Sequence, residues 1–226
     1  MCSSEVKRCA YCGRVLLDEG TGDHVFPKNL VPKTLRPSWE PIIVPSCLTC
    51  NQKWSDAEEH FRNVVDSAGD FNQAAEELFR DKIQRSLRRS AGERRIRDLL
   101  SISELVDVDG QPRLKIYPAK DPRVLGIIRK IVVGLSYHHG VETALKEARI
   151  FADVLRFRIP SEYLERLQHQ VLEADVIEYW YGLQTEPQVH SVWILRFYGR
   201  TTFVALVSES PDGDFGWDHD AAEETD

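Results

Sequence analysis

Long apolar segments are the first feature that this sequence lacks. Runs such as Val192–Leu195 are far shorter than the roughly 20 residues that a membrane-spanning helix needs. The N-terminus, MCSSEVKRCA, has no apolar segment of the kind that a secretory signal contains. We therefore expect no association with a membrane, and the simplest location is cytoplasmic.

Cysteine is absent after residue 50, although the chain has 226 residues and five cysteines. A disulfide framework would spread its cysteines through the chain, and a reducing cytosol would not maintain it. A chain of this length buries about 70% of its unfolded surface and folds without such a framework. The hydrophobic share of 42% and the charged share of 29% exclude a fibrous or wholly disordered protein.

Basic residues are absent from the last 18 positions. Residues 209–226 contain eight acidic residues and no Lys or Arg, which predicts a disordered acidic tail. Removing these eight charges from the net charge of −7 leaves the first 208 residues at +1. The folded part can therefore carry a local basic surface, and the acidic total does not exclude a polyanionic partner.

Four of the cysteines form two Cys-x-x-Cys pairs, Cys9 with Cys12 and Cys47 with Cys50. Each pair supplies two thiolates to a tetrahedral Zn²⁺ when folding brings the pairs together. We predict one structural zinc ion; the alternatives are unligated cysteines or a redox-active pair. Cys2 has no partner and is expected to be a bystander.

The segment between the two pairs contains Asp23-His24-Val25-Phe26-Pro27-Lys28, and the second pair is followed by Asn51-Gln52-Lys53. In this order the motifs resemble the zinc-containing HNH endonucleases, over residues 9 to about 62. The resemblance implies a ββα-metal unit, in which a β-hairpin and a helix clamp one divalent ion. It also implies that His24 is the general base, that Asp23 and Asn51 hold Mg²⁺ or Mn²⁺, and that the products carry 5′-phosphate and 3′-hydroxyl ends.

The same residues suit phosphodiester hydrolysis on chemical grounds. The reaction needs an activated water and a cation that stabilises charge on the phosphoryl oxygens. Neutral His24 can accept the proton of water, and Asp23 and Asn51 offer oxygen ligands. Adjacent residues of a regular strand face opposite sides, so Asp23 and His24 can both face the metal only if a bulge or turn intervenes, which Gly20 and Gly22 permit. Ile42 stands where the family usually has an asparagine that braces the histidine loop.

Basic residues are concentrated in two places. Lys28 and Lys53 flank the predicted catalytic site and are candidates for contacts with the scissile phosphate. Eight Lys or Arg residues lie between positions 80 and 97 and give this run a net charge of +6. We predict that Arg85, Arg88 and Arg89 contact the backbone of DNA, or of RNA; a solvated helical face is the alternative. His60 is expected to be an exposed helix residue.

The fold class that we predict is α+β. A zinc-stapled ββα-metal module over residues 1–62 precedes a helical basic region over 63–120, a C-terminal α/β region over 121–208 and the tail. Helices are predicted for 55–89 with a break at Gly69, for 121–138 and for 161–174. A short helix followed by a strand is predicted for 96–108, and a strand for 114–117. A short antiparallel sheet is predicted from strands at 176–181, 191–198 and 201–207, with a tight turn at Gly199-Arg200.

These observations predict a metal-dependent endonuclease that hydrolyses DNA. One alternative is a zinc-ribbon module that binds nucleic acid without cutting it. The other is a partner-binding protein that uses the aromatic C-terminal sheet as its main surface, although aromatic strand residues more often pack in a core.

Overall fold

The computed structural model describes residues 6–16, 20–69, 72–183 and 189–208. Within these ranges the protein mixes α-helices with antiparallel β-sheets, as the predicted fold class requires. The predicted acidic tail and Cys2 lie outside the described residues. None of the described helices is both long enough and apolar enough to cross a membrane.

The N-terminal part contains a β-hairpin followed by a helix. Strand β1 (Thr21–His24) pairs antiparallel with β2 (Ile43–Ser46), and helix α1 (Leu48–Gln52) begins two residues after β2. A tight turn before the hairpin brings Arg8 opposite Val15, and Gly13 adopts the left-handed conformation at φ 71°. This glycine allows the first cysteine pair to fold back on itself.

The helical middle begins with α2 (Ser55–Ser67), and Gly69, at φ 97°, follows it at the predicted break. Four further elements follow: α3 (Gln73–Leu78), a π-helical turn (Phe79–Ile83), α4 (Gln84–Leu87) and α5 (Gly92–Ser101). Strands β3 (Ser103–Val108) and β4 (Gln111–Ile116) form a separate hairpin, where strands were predicted in 96–108 and 114–117, so the region from 63 to 120 is not wholly helical.

Helix α6 (Pro122–His138) lies at the centre of the molecule. The Asp121 side chain accepts a hydrogen bond from the Arg123 backbone N–H at 2.8 Å, and Pro122 occupies the first helical position. Both features are typical helix-start signals, and they explain why the sequence predicted this helix well. The helix packs against α2 and against the C-terminal sheet, and most of its aliphatic side chains are buried.

The C-terminal sheet has five antiparallel strands in the order β5-β9-β8-β7-β6. The strands are β5 (Ile150–Val154), β6 (Gln168–Glu173), β7 (Ile177–Leu183), β8 (Val189–Phe197) and β9 (Thr201–Ser208). Tyr198 and Gly199 both have positive φ in the turn between β8 and β9, which matches the predicted tight hairpin. Alternate residues of β9 are buried, as expected when one face of a sheet covers a core.

The predicted helix over 161–174 is wrong. Helix α7 covers only Ser161–Leu164, and residues 168–173 form the edge strand β6 instead. The physical reason is pairing with β7: the His169 ring stacks on Trp180 at 4.4 Å and its Nε2 lies 3.2 Å from a Glu178 oxygen. Helical periodicity within the segment does not reveal a partner strand.

One continuous apolar core joins the N-terminal and C-terminal parts. Phe26 contacts Tyr179 with ring centroids 5.8 Å apart, and Phe61 meets Phe197 edge-on at 5.2 Å. The buried Tyr198 hydroxyl donates to the Leu30 carbonyl oxygen at 2.8 Å. The hairpin segment is therefore held directly against helices and sheet that lie much later in the chain.

Candidate functional site

The two cysteine pairs lie together, as their spacing predicted. The four Sγ atoms are all within 4.8 Å of one another, and Cys12 Sγ is 3.9 Å from Cys47 Sγ. A tetrahedral zinc ion with Zn–S bonds of about 2.3 Å places its sulfur ligands about 3.8 Å apart. A disulfide would need about 2.05 Å. The cluster therefore fits a metal ion such as zinc, and all four cysteines are free.

The pKa values of these thiols also favour the binding of a cation. Burial raises the pKa of Cys9, but backbone hydrogen bonds from both cysteine pairs outweigh it and lower the pKa to about 6. Burial and then hydrogen bonds with Cys47 and Cys12 raise the pKa of Cys50. The Cys9 thiolate is thus stabilised by the backbone, whereas burial raises the pKa values of Cys12 and Cys50, and a divalent ion would lower them again.

Asn51 connects helix α1 to the hairpin. Its Nδ2 donates to Thr21 Oγ1 at 2.9 Å, and its backbone N–H donates to the Cys47 carbonyl oxygen at 3.0 Å. The helix is only five residues long, so its position depends on such tertiary contacts. Asn51 therefore lies beside β1 and directly adjacent to the cysteine cluster.

His24 ends β1 and is partly exposed. Its ring stacks on the buried Trp39, with centroids 5.8 Å apart and an interplanar angle of 27°. Burial lowers the pKa of His24, the positive charge of Lys28 lowers it further, and Asp23 partly opposes both. The neutral imidazole, which can accept a proton, is the form that this environment stabilises at neutral pH.

Asp23 faces the interior on the other side of β1. Its carboxylate is 7% exposed, accepts a hydrogen bond from the Tyr11 hydroxyl at 2.6 Å and lies 2.9 Å from the Lys130 ammonium. The same ammonium lies 2.6 Å from Glu58 Oε1. The bulge that would let both residues face the metal does not form, because β1 and β2 pair without a shift in register. Asp23 and His24 therefore point to opposite faces.

The donors that remain for Mg²⁺ or Mn²⁺ are few. Asp23 Oδ1 and Asn51 Oδ1 form no hydrogen bond with any described residue. Oxygen atoms of these types suit a hard divalent ion. However, Lys130 already balances the charge of Asp23, and within the described residues only the four cysteines form a His, Cys, Asp or Glu cluster that could hold a metal. The oxygen atoms of Asp23 and Asn51 are of the type that binds Mg²⁺ or Mn²⁺, but the site carries little net negative charge to attract such an ion.

Tyr11, Glu58 and Lys130 were not predicted as site residues. Lys130 did leave a signal in the sequence, since it lies in the apolar run Gly126–Gly134 and three residues after Ile127. A lysine on the apolar face of a helix has to find a buried partner. Nothing in the sequence identified Asp23 as that partner.

The predicted phosphate-contacting lysines have different environments. Lys28 is exposed at the start of a 3₁₀ turn (Lys28–Leu30), close enough to influence the pKa of His24. Lys53 lies 3.5 Å from Glu147 Oε1 and 4.3 Å above the Trp54 ring. Lys28 is therefore the more available of the two for a phosphate near His24.

The three predicted arginines are exposed but do not form one group. Arg85 and Arg89 line a cavity that is bounded by α2, α3 and α4, whereas Arg88 is not among its lining residues. The basic run thus divides into residues that face a recess and residues that face solvent.

His60 was predicted from the sequence to be exposed, and this prediction is wrong. It is 7% exposed, and its Nε2 lies 2.7 Å from Asp121 Oδ2, which also accepts hydrogen bonds from Arg123. This contact joins α2 to the start of α6. The aromatic side chains of the sheet are also buried, including Tyr179, Trp193 and Phe197, so they form core rather than surface.

Comparison of the chain with protein-family models, with curated proteins and with solved structures gives no match. The resemblance to HNH endonucleases therefore depends on the motif residues alone.

Proposed function

We propose that this protein is a metal-dependent endonuclease that hydrolyses phosphodiester bonds in DNA. The observation that carries the proposal is the position of His24. A histidine whose neutral form is favoured lies at the end of a hairpin strand, and Asn51 ties that hairpin to a four-cysteine cluster. The order of hairpin and helix agrees with what the HNH resemblance implies.

His24 accepts a proton from the attacking water in this proposal, and its stacking on Trp39 limits rotation of the ring. Lys28 lies near enough to bind a phosphate oxygen of the substrate. Asp23 and Asn51 would hold Mg²⁺ or Mn²⁺ through their free oxygens, and that ion would stabilise charge on the phosphoryl group. Lys130 fixes the position of the Asp23 carboxylate from the interior side.

A second candidate function has one observation in its favour. The ammonium of Lys130 neutralises the negative charge of Asp23, and a site with no net negative charge attracts a divalent ion weakly. A zinc module that binds nucleic acid without cutting it would need no catalytic ion. Binding without cleavage under all metal conditions would support this alternative.

The proposal is tested with plasmid DNA, incubated with Mg²⁺, with Mn²⁺ or with EDTA. We expect nicking that depends on added metal, and we expect His24→Ala to reduce the rate on the order of 10²-fold or more. Zinc content and thermal stability should stay close to wild type, because the ring is partly exposed. Extra metal should partly restore Asp23→Ala or Asn51→Ala, but not His24→Ala, which lacks the proton acceptor.

His138→Ala is the matched control, since His138 is an exposed histidine at the far end of α6. It should cut at the wild-type rate. The rate of the wild type should fall with decreasing pH only below about 6.5, because the pKa of His24 is lowered from its usual 6.5. A folded, zinc-loaded His24→Ala protein that cuts at the wild-type rate would contradict the assignment.

A further inference from the structure

A cavity of about 250 Å³ lies away from His24, between the loop that follows β1 and the helices α2 to α4. The loop contributes Lys33 and Arg36, and the helices contribute Arg62, Lys82, Arg85 and Arg89. Six basic side chains around one recess are unusual in a folded body whose net charge is close to zero. Such a concentration of charge needs a counter-ion.

The three acidic residues of the lining supply only part of it, because Glu59 pairs with Arg62 at 3.4 Å and the other basic side chains of the lining have no acidic partner there. Glu59 already binds Arg95 at 2.8 Å and the Ser86 hydroxyl at 2.9 Å, and Glu77 accepts a hydrogen bond from Thr34 at 2.7 Å. Asp81 is exposed at the rim. The side chains of Lys33, Lys82, Arg85 and Arg89 have no ion pair or hydrogen bond with any of the residues that the structure describes.

Arg62 makes this recess a built site rather than a group of surface charges. The residue is only 3% exposed, and its Nε and Nη2 donate to Asn63 Oδ1 at 3.1 and 2.7 Å. Its Nη2 also lies 3.4 Å from Glu59 Oε1, and its Nη1 has no hydrogen-bond partner in the described part of the chain and is not fully buried. A guanidinium that is held in the wall by these contacts and keeps one open donor is positioned to bind an anion.

Arg36 and Lys82 complete the arrangement. Arg36 is held in place by the Val31 and Lys28 carbonyl oxygens at 3.2 and 3.3 Å, which leaves Nη1 free. Burial lowers the pKa of Lys82 to about 8, and Arg62, Arg36 and Lys33 contribute to the shift. The cationic groups around the cavity therefore repel one another, and an anion would relieve that repulsion.

We propose that this cavity binds a phosphate monoester, carried either by a mononucleotide or by a phosphorylated end of a nucleic acid. Arginine forks match the geometry of phosphate oxygens, and a dianion suits several cations around one recess. A terminal group fits a recess with a buried arginine at its wall better than a continuous backbone does. None of the described residues that line the cavity is aromatic, so we expect recognition of the phosphate and not of a base.

The experiment measures binding to the full-length protein by calorimetry, with 5′-AMP, adenosine and inorganic phosphate as probes. We expect binding of AMP and of phosphate but not of adenosine. A DNA decamer with a 5′-phosphate, compared with the same decamer without it, identifies the source. Tighter binding of the phosphorylated decamer supports a nucleic-acid end, and no difference between the decamers, with AMP still bound, supports a mononucleotide.

Lys82→Gln and the double variant Arg85→Gln/Arg89→Gln should each weaken AMP binding about tenfold or more, since each removes charged donors to the anion. Arg88→Gln is the matched control, because Arg88 belongs to the same basic run but does not line the cavity. Its affinity for AMP should be that of the wild type. These side chains are partly or fully exposed, so folding should not be affected.

Three results would overturn the proposal: no binding of AMP at millimolar concentration, equal binding of AMP and adenosine, or equal loss in Arg88→Gln and Lys82→Gln. The proposal does not depend on cleavage. His24→Ala should bind AMP with wild-type affinity, so a protein that binds AMP but never cuts DNA would contradict only the proposed nuclease function.

Discussion

Asp23 and His24 are neighbours in the chain, but the structure gives them different environments. His24 lies partly exposed against Trp39, whereas Asp23 is buried between Tyr11 and Lys130. The regular pleat of β1 is the cause, because successive side chains leave a strand on opposite faces. At the scale of single residues, the candidate base is therefore more accessible than the candidate metal ligand.

Asp66 allows a prediction about stability and pH. It is fully buried on α2, and neither carboxyl oxygen has a hydrogen-bond partner among the described residues. Burial raises its pKa from 3.8 to about 7, although Arg200 and Arg62 oppose the shift. Between these two values the native state holds a proton that the unfolded state has lost, so the free energy of unfolding falls as the pH rises from about 4 to about 7.

Asp66→Asn should remove this loss of stability at higher pH. We expect the variant to be more stable than the wild type at pH 8, on the order of 2 kcal/mol, because no charge has to be buried. Urea denaturation at pH 5 and pH 8 measures the effect. Asp56→Asn is the control, since Asp56 is exposed on the same helix. Equal stability of wild type and Asp66→Asn at pH 8 would contradict the prediction, because it would show that burying the Asp66 charge costs no stability.

At the scale of elements, the cysteine cluster organises a region with little regular structure. Helix α1 has five residues and each strand of the hairpin has four. Elements this short are unstable by themselves. Cys9 and Cys12 precede the hairpin and Cys47 and Cys50 follow it, so one metal ion closes the whole segment.

We predict about one zinc ion per chain by elemental analysis. Cys47→Ser should lose the zinc and lower the melting temperature markedly, because metal binding at such sites contributes on the order of 10 kcal/mol to folding. Cys2→Ser should keep both the zinc and the melting temperature, since Cys2 belongs to neither Cys-x-x-Cys pair. A Cys47→Ser protein with unchanged zinc content would refute the four-cysteine site.

The elements that the sequence predicted correctly have local signals. Asp121-Pro122 predicted the start of α6, and Gly199-Arg200 predicted the turn between β8 and β9. The helix predicted for 161–174 failed because β6 is stabilised by β7 and not by its own residues. The cysteine cluster was predictable because spacing alone specifies it, whereas the Asp23–Lys130 contact depends on how α6 packs against β1.

At the scale of the molecule, Lys130 joins three parts of the chain. Its ammonium contacts Asp23 and the His24 carbonyl oxygen on β1, and Glu58 on α2, while its own helix packs against the C-terminal sheet. The side chain has no exposed surface. The position of the candidate active-site strand is therefore coupled to the stability of the central helix.

Lys130→Met should cost about 3 kcal/mol in the free energy of unfolding, because it leaves the buried Asp23 carboxylate and the partly buried Glu58 carboxylate without their cation. Urea denaturation measures the loss, and Lys146→Met, an exposed lysine, should change little. The triple variant Lys130→Met/Asp23→Asn/Glu58→Gln separates charge from packing. Since it removes both charges that the lysine balanced, it should recover a large part of the lost stability. If it is no more stable than Lys130→Met, the lysine contributes through the packing of its aliphatic chain, and the three charges are not what holds β1 against α6.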